Sequence, residues 1–542
     1  MRQYKQLILW VFLICVIIVA EAQQQSPILR KRNFNDAKRF ILFSNYTAAL
    51  PLLLNLQRAD TLNANLNYLA GLCYLNSSFE KEKSISYFKA ASQNMSPKYK
   101  ELRFKEKKSP YKTIYHLGQA YQFAYQFDKA DNYFVKYKEL VFDNAKELRL
   151  ADRYIEMCKN GEALLKNPIE ITIDNLGGVI NSDCDEHTPC ITADEKTLIF
   201  TSRRRGSTGG TLTDDGRYFE DIYISKKVNE QWTAPQKIST NINTNGHEAT
   251  IGVSPDGQEL YIYKDDNGIG NIYFSRFENK DWTIPEKVGS NINTSANETH
   301  ATISSDGTTL IFISDRDNGK GGKDLYVVHR LPDGEWGLAQ NMGDVLNTPY
   351  DEEGPFLHPD GYTLYFSSKG HNSMGGYDLF YSELQNDSIW GAPVNMGYPI
   401  NTTVDDVYYV LSANGKRAYF SSIRKDGFGG RDLYVINLLS LPERSSAVIK
   451  GNVQMEGTAE IPKNIIINVR ESDTGKMVGR YKPNKESGYY IIILRQGKDY
   501  TFTCESPDLI FYPEKISIPT RTAFTEINKP IILNPIGVVK KK

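Results

Sequence analysis

Five acidic residues recur at one position of an internal repeat, always eight residues before a turn residue and with no gap in the count. They are Glu186, Glu248, Glu298, Glu352 and Asp406. Equivalent positions lie at equal radius when repeats close into a ring, so the five carboxylates should form an acidic ring. Two roles are open for this ring. The carboxylates either accept hydrogen bonds that lock the repeats together, or they form an acidic mouth that binds a cation or a basic segment of a partner.

The repeat that carries the acidic ring has the pattern of four short β-strands. Its turn residues are Asp194, Asp256, Asp306, Asp360 and Asn414, and each precedes an apolar strand such as 309–312. A second polar position opens the third strand, within Gly-Gly-x-Asp-Leu in three repeats, and it is occupied by Asp221, Asn271, Asp324, Asp378 and Asp432. A Trp opens the last strand in four repeats. We interpret both polar sets as structural residues of the blades of a β-propeller.

The ends of this region indicate how the propeller closes. The fifth repeat ends near 440 without a Trp-led strand, whereas residues 166–182, ahead of the first repeat, match the Trp-led segments. We therefore expect 166–182 to supply the closing outer strand of a five-bladed propeller over 166–440, because closure removes free sheet edges. The Ser-Pro-Asp-Gly motif at 254–257 and the Gly-Gly-x-Asp-Leu-Tyr motifs resemble the WD40-like PD40 repeats of TolB-type proteins.

The region 33–165 has the spacing of paired helices. Small and aromatic residues recur at helix-crossing offsets in three sets, of which Gly71, Tyr74, Ser84 and Phe88 form one. The others are Ala37, Phe40, Ala49 and Leu53, and Gly118, Tyr121, Ala130 and Phe134. The spacing resembles tetratricopeptide (TPR) repeats, which stack into a solenoid with a concave groove for peptides. A plain helical bundle is the alternative.

The last region, 445–537, alternates apolar and polar residues in short strands and predicts a small β-sandwich. It resembles the carboxypeptidase regulatory-like domain, a structural module. The expected fold class is thus multidomain α + β, with an N-terminal TPR solenoid, a five-bladed propeller and a C-terminal β-sandwich.

Residues 1–22 have the pattern of a signal peptide, with Arg2 and Lys5 before the apolar run 7–19 and Ala20-Glu21-Ala22 at the cleavage site. We therefore expect an exported chain with no transmembrane segment after cleavage. The net charge of −1 leaves no basic surplus for phosphates, so nucleic acid is not expected as a partner.

Cysteine and histidine spacing predicts neither a metal site nor a cofactor. There is no Cys-x-x-Cys, and no His-Cys spacing resembles a zinc site. Cys184 and Cys190 are close enough in sequence to form a disulfide in an oxidising compartment, with buried free thiols as the alternative.

The first blade alone carries an insertion of about nine residues, from Arg203-Arg204-Arg205 to Arg217. A basic, glycine-rich loop on a rigid scaffold is typical of a partner contact, and a plain surface loop is the alternative.

The order of domains resembles periplasmic, outer-membrane-associated proteins of Bacteroidota, including a component of type IX secretion and gliding. In that family an OmpA-like domain that grips peptidoglycan usually follows, and this sequence stops where it would begin, so peptidoglycan binding is not expected. The resemblance implies a non-enzymatic periplasmic scaffold that binds envelope proteins through the TPR groove and the propeller face. The alternative is a propeller enzyme acting on glycans or peptides, although no Gly-x-Ser-x-Gly or second zincin His is present.

Overall fold

The computed structural model describes residues 26–535 except 79, 193, 255–256, 386–387, 414, 439–445, 458–459, 463, 486, 507–508 and 521–524. The expected signal peptide and the turn residues Asp256 and Asn414 lie outside the described residues. The chain divides into two compact units, 1–159 with 212–217 and 160–211 with 218–542. In the described part of the chain no helix is long and apolar enough to cross a membrane.

The first unit is built from helices. The described helices are α1 (Pro27–Leu42), α2 (Tyr46–Ala59), α3 (Ala64–Leu75), α4 (Ser84–Ala91), α5 (Lys112–Phe123), α6 (Phe127–Leu140) and α7 (Ala145–Lys166), with a 3₁₀ turn at Lys81–Lys83. Helix α1 begins six residues before the expected boundary at 33. The hydroxyl of Ser26 accepts a hydrogen bond from the main-chain N–H of Leu29, and Pro27 follows directly, which together fix this start.

Consecutive helices form three hairpins, α1–α2, α3–α4 and α5–α6. The tight crossings need glycine, because a Cβ on Gly71 would lie 2.7 Å from the Phe88 ring and one on Gly118 would lie 2.7 Å from the Phe134 ring. Both Phe side chains are fully buried. Small residues and aromatic rings therefore interlock at the same place in successive hairpins.

The second unit contains five sheets that repeat one plan. The first blade contains β2 (Glu186–Ile191), β3 (Thr197–Ser202), β4 (Asp221–Val228), β5 (Gln231–Trp232) and β6 (Gln236–Lys237), and the second contains β7 (Glu248–Val253), β8 (Glu259–Asp265), β9 (Gly270–Glu278), β10 (Asp281–Trp282) and β11 (Glu286–Lys287). The third blade contains β12 (Glu298–Ile303), β13 (Thr309–Ser314), β14 (Asp324–His329) and β15 (Gln340–Asn341), and the fourth contains β16 (Glu352–Leu357), β17 (Thr363–Ser368), β18 (Asp378–Gln385), β19 (Ile389–Trp390) and β20 (Val394–Asn395). The fifth blade contains β21 (Asp406–Leu411), β22 (Arg417–Ser422), β23 (Asp432–Asn437) and β1 (Thr172–Asn175).

The five sheets close into a β-propeller. The first strands contact one another in a cycle, β2 to β7, β12, β16, β21 and back to β2, so they are the innermost strands. Strand β1 pairs antiparallel with β23, with Thr172 opposite Asn437 and Asn175 opposite Tyr434. The last strand of the first, second and fourth blades is split into two short pieces, and both pieces pair with the third strand. The apolar cores lie between neighbouring blades, where Tyr261 of the second blade packs with Phe312 of the third.

Two further sheets form the C-terminal part of the second unit. Their strands are β24 (Ser446–Met455), β25 (Ile466–Glu471), β26 (Met477–Tyr481), β27 (Tyr489–Arg495), β28 (Lys498–Glu505), β29 (Leu509–Ile510), β30 (Glu514–Ile518), β31 (Thr525–Asn528) and β32 (Ile531–Pro535). One sheet has the order β27-β24-β32-β29, with β31 beside β24, and the other has β26-β25-β28-β30. Ile449 and Ile492 from the first sheet share one core with Ile467 and Phe502 from the second.

We call the propeller end at which the innermost strands begin the upper face, and the end at which they turn into the second strands the lower face. The C-terminal sheets contact the lower face. The main-chain N–H of Arg480 donates to the carbonyl of Ser305 at 3.4 Å, and the Arg495 guanidinium lies 3.9 Å from the centre of the Tyr362 ring.

Candidate functional site

The five carboxylates of the acidic ring are the first residues of the innermost strands, and each is at most 1% exposed. Each accepts hydrogen bonds from the main-chain N–H and the hydroxyl of the residue four positions earlier, at 2.5–3.1 Å. These donors are Ser182, Thr244, Thr294, Thr348 and Thr402. Their contacts favour the hydrogen-bonding role of the ring over an open acidic mouth.

A second group of donors reaches the ring carboxylates from the second strand. Ser202, Ser314, Ser368 and Ser422 each donate a hydroxyl hydrogen bond, and Lys264 takes this position in the second blade. Arginines two residues beyond the serines add an ion pair in three blades, at 3.1 Å from Arg204 to Glu186, 3.1 Å from Arg316 to Glu298 and 3.6 Å from Arg424 to Asp406.

Glu352 has no such cation, because Gly370 stands at the arginine position of the fourth blade. Burial raises the pKa of Glu352 to about 8, against the hydrogen bonds from Ser368 and Thr348 that lower it. Burial also raises the pKa of Asp406, to about 6, although the charge of Arg424 opposes the shift. The net rise in pKa is therefore larger at Glu352, where no arginine opposes the effect of burial, than at Asp406.

The polar residue at the start of each third strand makes hydrogen bonds to the loop that precedes that strand. Asp432 accepts main-chain hydrogen bonds from Phe428 at 2.7 Å and Gly429 at 3.1 Å, and Asp378 accepts one from Met374 at 2.9 Å. Asp324 accepts from Gly321, Asp221 accepts from Thr208, and the amide of Asn271 donates to Asp266. Of the turn residues, Asp194, Asp306 and Asp360 each accept a main-chain hydrogen bond two residues ahead.

Sequence reasoning missed a third repeated residue, an asparagine five positions before each ring carboxylate. These residues are Asn181, Asn243, Asn293, Asn347 and Asn401. Each side-chain amide bonds both the N–H and the carbonyl of one third-strand residue, at 2.7–3.0 Å. The signal was present, since an apolar residue, Asn and a hydroxyl residue recur together in all five repeats.

Neighbouring blades are joined at the upper face by a fivefold hydrogen bond. The donor is the main-chain N–H of the residue just before the third strand, or of its first residue in the second blade. The acceptor is the side chain of the residue just before the ring carboxylate of the next blade, at 2.9–3.4 Å. The pairs are Glu220 with His247, Gly270 with Asn297, Lys323 with Asp351, Tyr377 with Asp405, and Arg431 with Asp185. The last pair joins the fifth blade to the first.

The residues that donate these N–H groups differ in every blade, whereas three of the five acceptors are Asp, and the side chains of Glu220, His247 and Lys323 converge near the propeller axis. Oε1 of Glu220 lies 3.4 Å from Nε2 of His187, and its Oε2 lies 3.3 Å from Nδ1 of His247. Burial acts to raise the pKa of Glu220, but the neighbouring imidazoles of His187 and His247 hold it well below its usual value. Glu220 is therefore an ionised carboxylate held between two imidazoles.

A second carboxylate near the axis, Glu353, has a similar environment. Its Oε2 lies 2.6 Å from Nζ of Lys323, and its Oε1 accepts from the Thr299 hydroxyl at 3.0 Å and contacts Nδ1 of His300. Burial opposes ionisation of Glu353, yet the charges of His300 and Lys323 hold its pKa well below its usual value. We call Glu220, Glu353, His187, His247, His300 and Lys323, together with Tyr408, the axial cluster.

Tyr408 connects the two halves of the axial cluster. Its ring stacks on His300 at 4.8 Å between centres and lies 6.0 Å from His187. Gly354 leaves room for this ring, because a Cβ there would lie 2.8 Å from Cδ1 of Tyr408 and its φ of +55° is unfavourable for other residues. A cavity of about 70 Å³, lined by residues of all five innermost strands, includes Tyr408 and His300 in its wall.

The spacing of the seven histidines indicated no common site, and three of them, His187, His247 and His300, meet in the axial cluster. The sequence did contain a signal for these residues. Each lies within two positions of a residue that recurs in every repeat, but the residue type at its own position changes between blades. Within the described residues, no group of three or more His, Cys, Asp or Glu side chains has a metal-binding arrangement.

The disulfide considered for Cys184 and Cys190 is absent, since both residues are free thiols. Cys190 is buried in β2, where its sulfur lies 3.4 Å from the Thr250 hydroxyl, whereas Cys184 precedes the strand.

Several solved structures are similar to part of the chain. TolB from Acinetobacter baumannii is 14% identical, with a TM-score of 0.32 over 53% of this chain and 69% of that one. A putative TolB from Agrobacterium tumefaciens is 16% identical, with a TM-score of 0.30 over 60% and 96%. An alpha-L-arabinofuranosidase from Lactobacillus brevis is 14% identical, with a TM-score of 0.34 over 48% and 91%.

No protein-family model matches the chain, and no curated protein matches it. The chain carries a β-propeller. That assignment stands on the five sheets and their cyclic contacts, because likenesses with TM-scores this low carry no argument about function.

Proposed function

We propose that this protein is an exported, non-enzymatic scaffold of the cell envelope that binds protein partners through the upper face of its propeller and through its helical hairpins. One observation carries the proposal. The described carboxyl groups whose pKa is raised are Glu186, Glu352, Asp378, Asp406 and Asp432, and all are fully buried. A general acid for glycoside cleavage needs a raised pKa and access to substrate, and none of these five groups has that access.

The axial cluster also supports a binding role. Glu220 and Glu353 are held ionised by their neighbours, so neither is suited to proton donation. The adjoining cavity of about 70 Å³ is far smaller than the roughly 300–1,000 Å³ of a small-molecule pocket. The lower face is partly covered by the C-terminal sheets, whereas the exposed side chains of Asp183 and Arg205 lie on the upper face.

The periplasmic location and the outer-membrane secretion assembly belong to this proposal and are supported by the signal-peptide pattern and the order of domains. Capture from a solubilised envelope fraction tests the binding role. The full-length protein should retain a stoichiometric envelope protein, and a Glu220→Gln, Glu353→Gln double variant should retain less. Equal recovery by both proteins, or recovery of no protein, would contradict the proposed surface.

A propeller enzyme is the second candidate, favoured by the asymmetry of the axial cluster. It is tested by hydrolysis of a panel of oligosaccharides and peptides between pH 4 and 9. Turnover that is lost in Glu353→Gln would establish the enzyme and overturn the scaffold. We expect no turnover above the blank.

A further inference from the structure

A cleft of about 530 Å³ lies between the lower face and the C-terminal sheets, beside the contact of Arg480 with Ser305. The second and third blades provide one wall, with Arg276, Arg330 and Trp336. Strand β26 and the residue after it provide the other, with Arg480 and Lys482. We call this the lower-face cleft, and its volume suits a ligand of a few residues.

Arg330 is held in one orientation in the lower-face cleft. Its guanidinium carbon lies 4.4 Å from the centre of the Trp336 ring, and Trp336 is 9% exposed. Nε of Arg330 donates to the Gly307 carbonyl at 3.1 Å, and Nη1 donates to the Gly334 carbonyl at 3.2 Å. The Arg330 side chain is therefore already ordered before a ligand binds. Its remaining N–H groups can bind a ligand with little further loss of side-chain entropy, which favours binding.

No carboxylate among the described residues lies within ion-pair distance of Arg330, although five cationic and three acidic side chains line the cleft. Glu259 is shared by two cations, at 3.5 Å from Arg276 and 3.7 Å from Lys482. Asp306 is engaged within its own turn, where it accepts from Ser304 and Thr308. Arg480 and Lys287 pair with Glu505 and Asp266, which lie outside the lining. Glu335 also lines the cleft, and among the cations of the lining Arg330 is the one without a described carboxylate partner, so its guanidinium is available to an added carboxylate.

The second wall of the cleft favours an extended peptide as the ligand. Strand β26 ends the order β26-β25-β28-β30, so one of its sides has no partner strand in that sheet. On this side the Arg480 N–H already donates to the Ser305 carbonyl at 3.4 Å, so an extended main chain would follow the strand beyond that contact, as an edge strand allows.

We propose that the lower-face cleft binds an extended, acidic peptide segment whose carboxylate pairs with Arg330. The segment lies along β26, and a second carboxylate meets Lys482 or Arg276. Arginine recognises a carboxylate through two parallel hydrogen bonds, and the free edge of Arg330 has the donors for them. This inference rests on the proposed scaffold function and assigns that scaffold a second binding site, remote from the upper face.

The test measures fluorescence anisotropy of a labelled hexapeptide of alternating Glu and Val, with the full-length protein in low salt. We expect saturable binding that weakens as salt is added and that falls about tenfold or more in Arg330→Gln. Arg330→Lys should recover only part of the affinity, because it restores the charge without the planar pair of donors. Lys485→Gln is the matched control, since Lys485 is 60% exposed and pairs with Glu278 outside the lining.

Two further probes decide the ligand class. The matching Gln-Val peptide should bind at least about tenfold more weakly, because it lacks the carboxylates. A hexamer of galacturonic acid that bound as tightly as the Glu-Val peptide would replace the peptide with an acidic glycan and overturn the proposal. So would equal binding of the Glu-Val peptide to wild type and Arg330→Gln, or no binding. These failures would leave envelope capture by the upper face unchanged, so they are distinguishable from failure of the proposed function.

Discussion

The side-chain amide of Asn175 donates a hydrogen bond of 2.7 Å to Oδ2 of Asp432, across 257 residues of sequence. Asn175 lies in the strand that precedes the first blade, and Asp432 opens the third strand of the fifth. Asn341 and Asn395 make the equivalent bond within single blades, to Asp324 and Asp378. One repeated interaction therefore both shapes a blade and closes the propeller.

Removal of the closing bond should loosen the ring locally. We expect Asn175→Ala to cost about 1–2 kcal/mol of unfolding free energy and to speed amide exchange in β1 and β23. Asn395→Ala removes the same bond inside the fourth blade and is the matched control. It should leave exchange in β1 unchanged, and equal acceleration of β1 in both variants would contradict a closing role. Hydrogen exchange followed by mass spectrometry makes the measurement.

Glu352 should make stability depend on pH. Its pKa is about 8 in the folded protein and 4.5 as the ordinary value, so the folded state holds the proton more tightly between these limits. Stability contributed by the protonated carboxyl is complete below about pH 4.5 and is lost as pH rises through 8. Glu352→Gln, which cannot ionise, should flatten this part of the profile in urea unfolding. An unchanged slope would contradict the buried, proton-binding environment.

Glu352→Ala tests the role of the acidic ring. It leaves the N–H and hydroxyl of Thr348 and the hydroxyl of Ser368 without their acceptor. We expect a loss of about 1–3 kcal/mol, measured by thermal unfolding. Unchanged stability would instead favour a carboxylate that serves only a ligand.

Arg204 and Arg205 are adjacent but should behave differently. The guanidinium of Arg204 lies 3.1 Å from Glu186 and packs 4.8 Å from the centre of the Tyr223 ring. Arg205 is 74% exposed and pairs with Asp183, which is itself exposed. Arg204→Ala should therefore lower the melting temperature clearly, whereas Arg205→Ala should change the unfolding free energy by less than about 0.5 kcal/mol. Similar effects in both variants would refute this assignment.

Gly118 tests the helical hairpins. An added Cβ would meet the Phe134 ring at 2.7 Å, so Gly118→Ala should destabilise the first unit by about 1–3 kcal/mol. In the double variant Gly118→Ala, Phe134→Leu, the smaller Leu side chain should restore part of this loss. Unfolding of both variants is followed by the helical circular dichroism signal. If the stability loss of the double variant equalled the sum of the losses of the two single variants, the contact would be contradicted.

The repeats explain how far the sequence could predict the molecule. The propeller prediction is confirmed by the five sheets and their cyclic contacts, and it was possible because a turn residue and an acidic residue eight positions before it recur in all five repeats. The insertion at Arg203 was interpreted as a possible partner loop, yet Arg204 points inward, since only the folded blade brings Phe200, Tyr223 and Glu186 around it.

The axial cluster could not be predicted in this way. Glu220, His247 and Glu353 occupy positions whose residue type changes from blade to blade, so no repeat singles them out. Glu220, His247 and Glu353 come close together only when the propeller closes, because closure brings separate blades around one axis. The same limit applies to the lower-face cleft, where Arg330 and Lys482 come from different domains of the chain.

Site-specific photo-crosslinking in the native envelope tests the scaffold most directly. A crosslinker at Asp183 or Arg205 is on the upper face, and one at Ile389, which is 62% exposed on an outer strand, is the control. We expect a discrete protein adduct from the two upper-face positions and not from Ile389. No adduct from the upper face, or equal adducts from all three positions, would contradict a partner bound there.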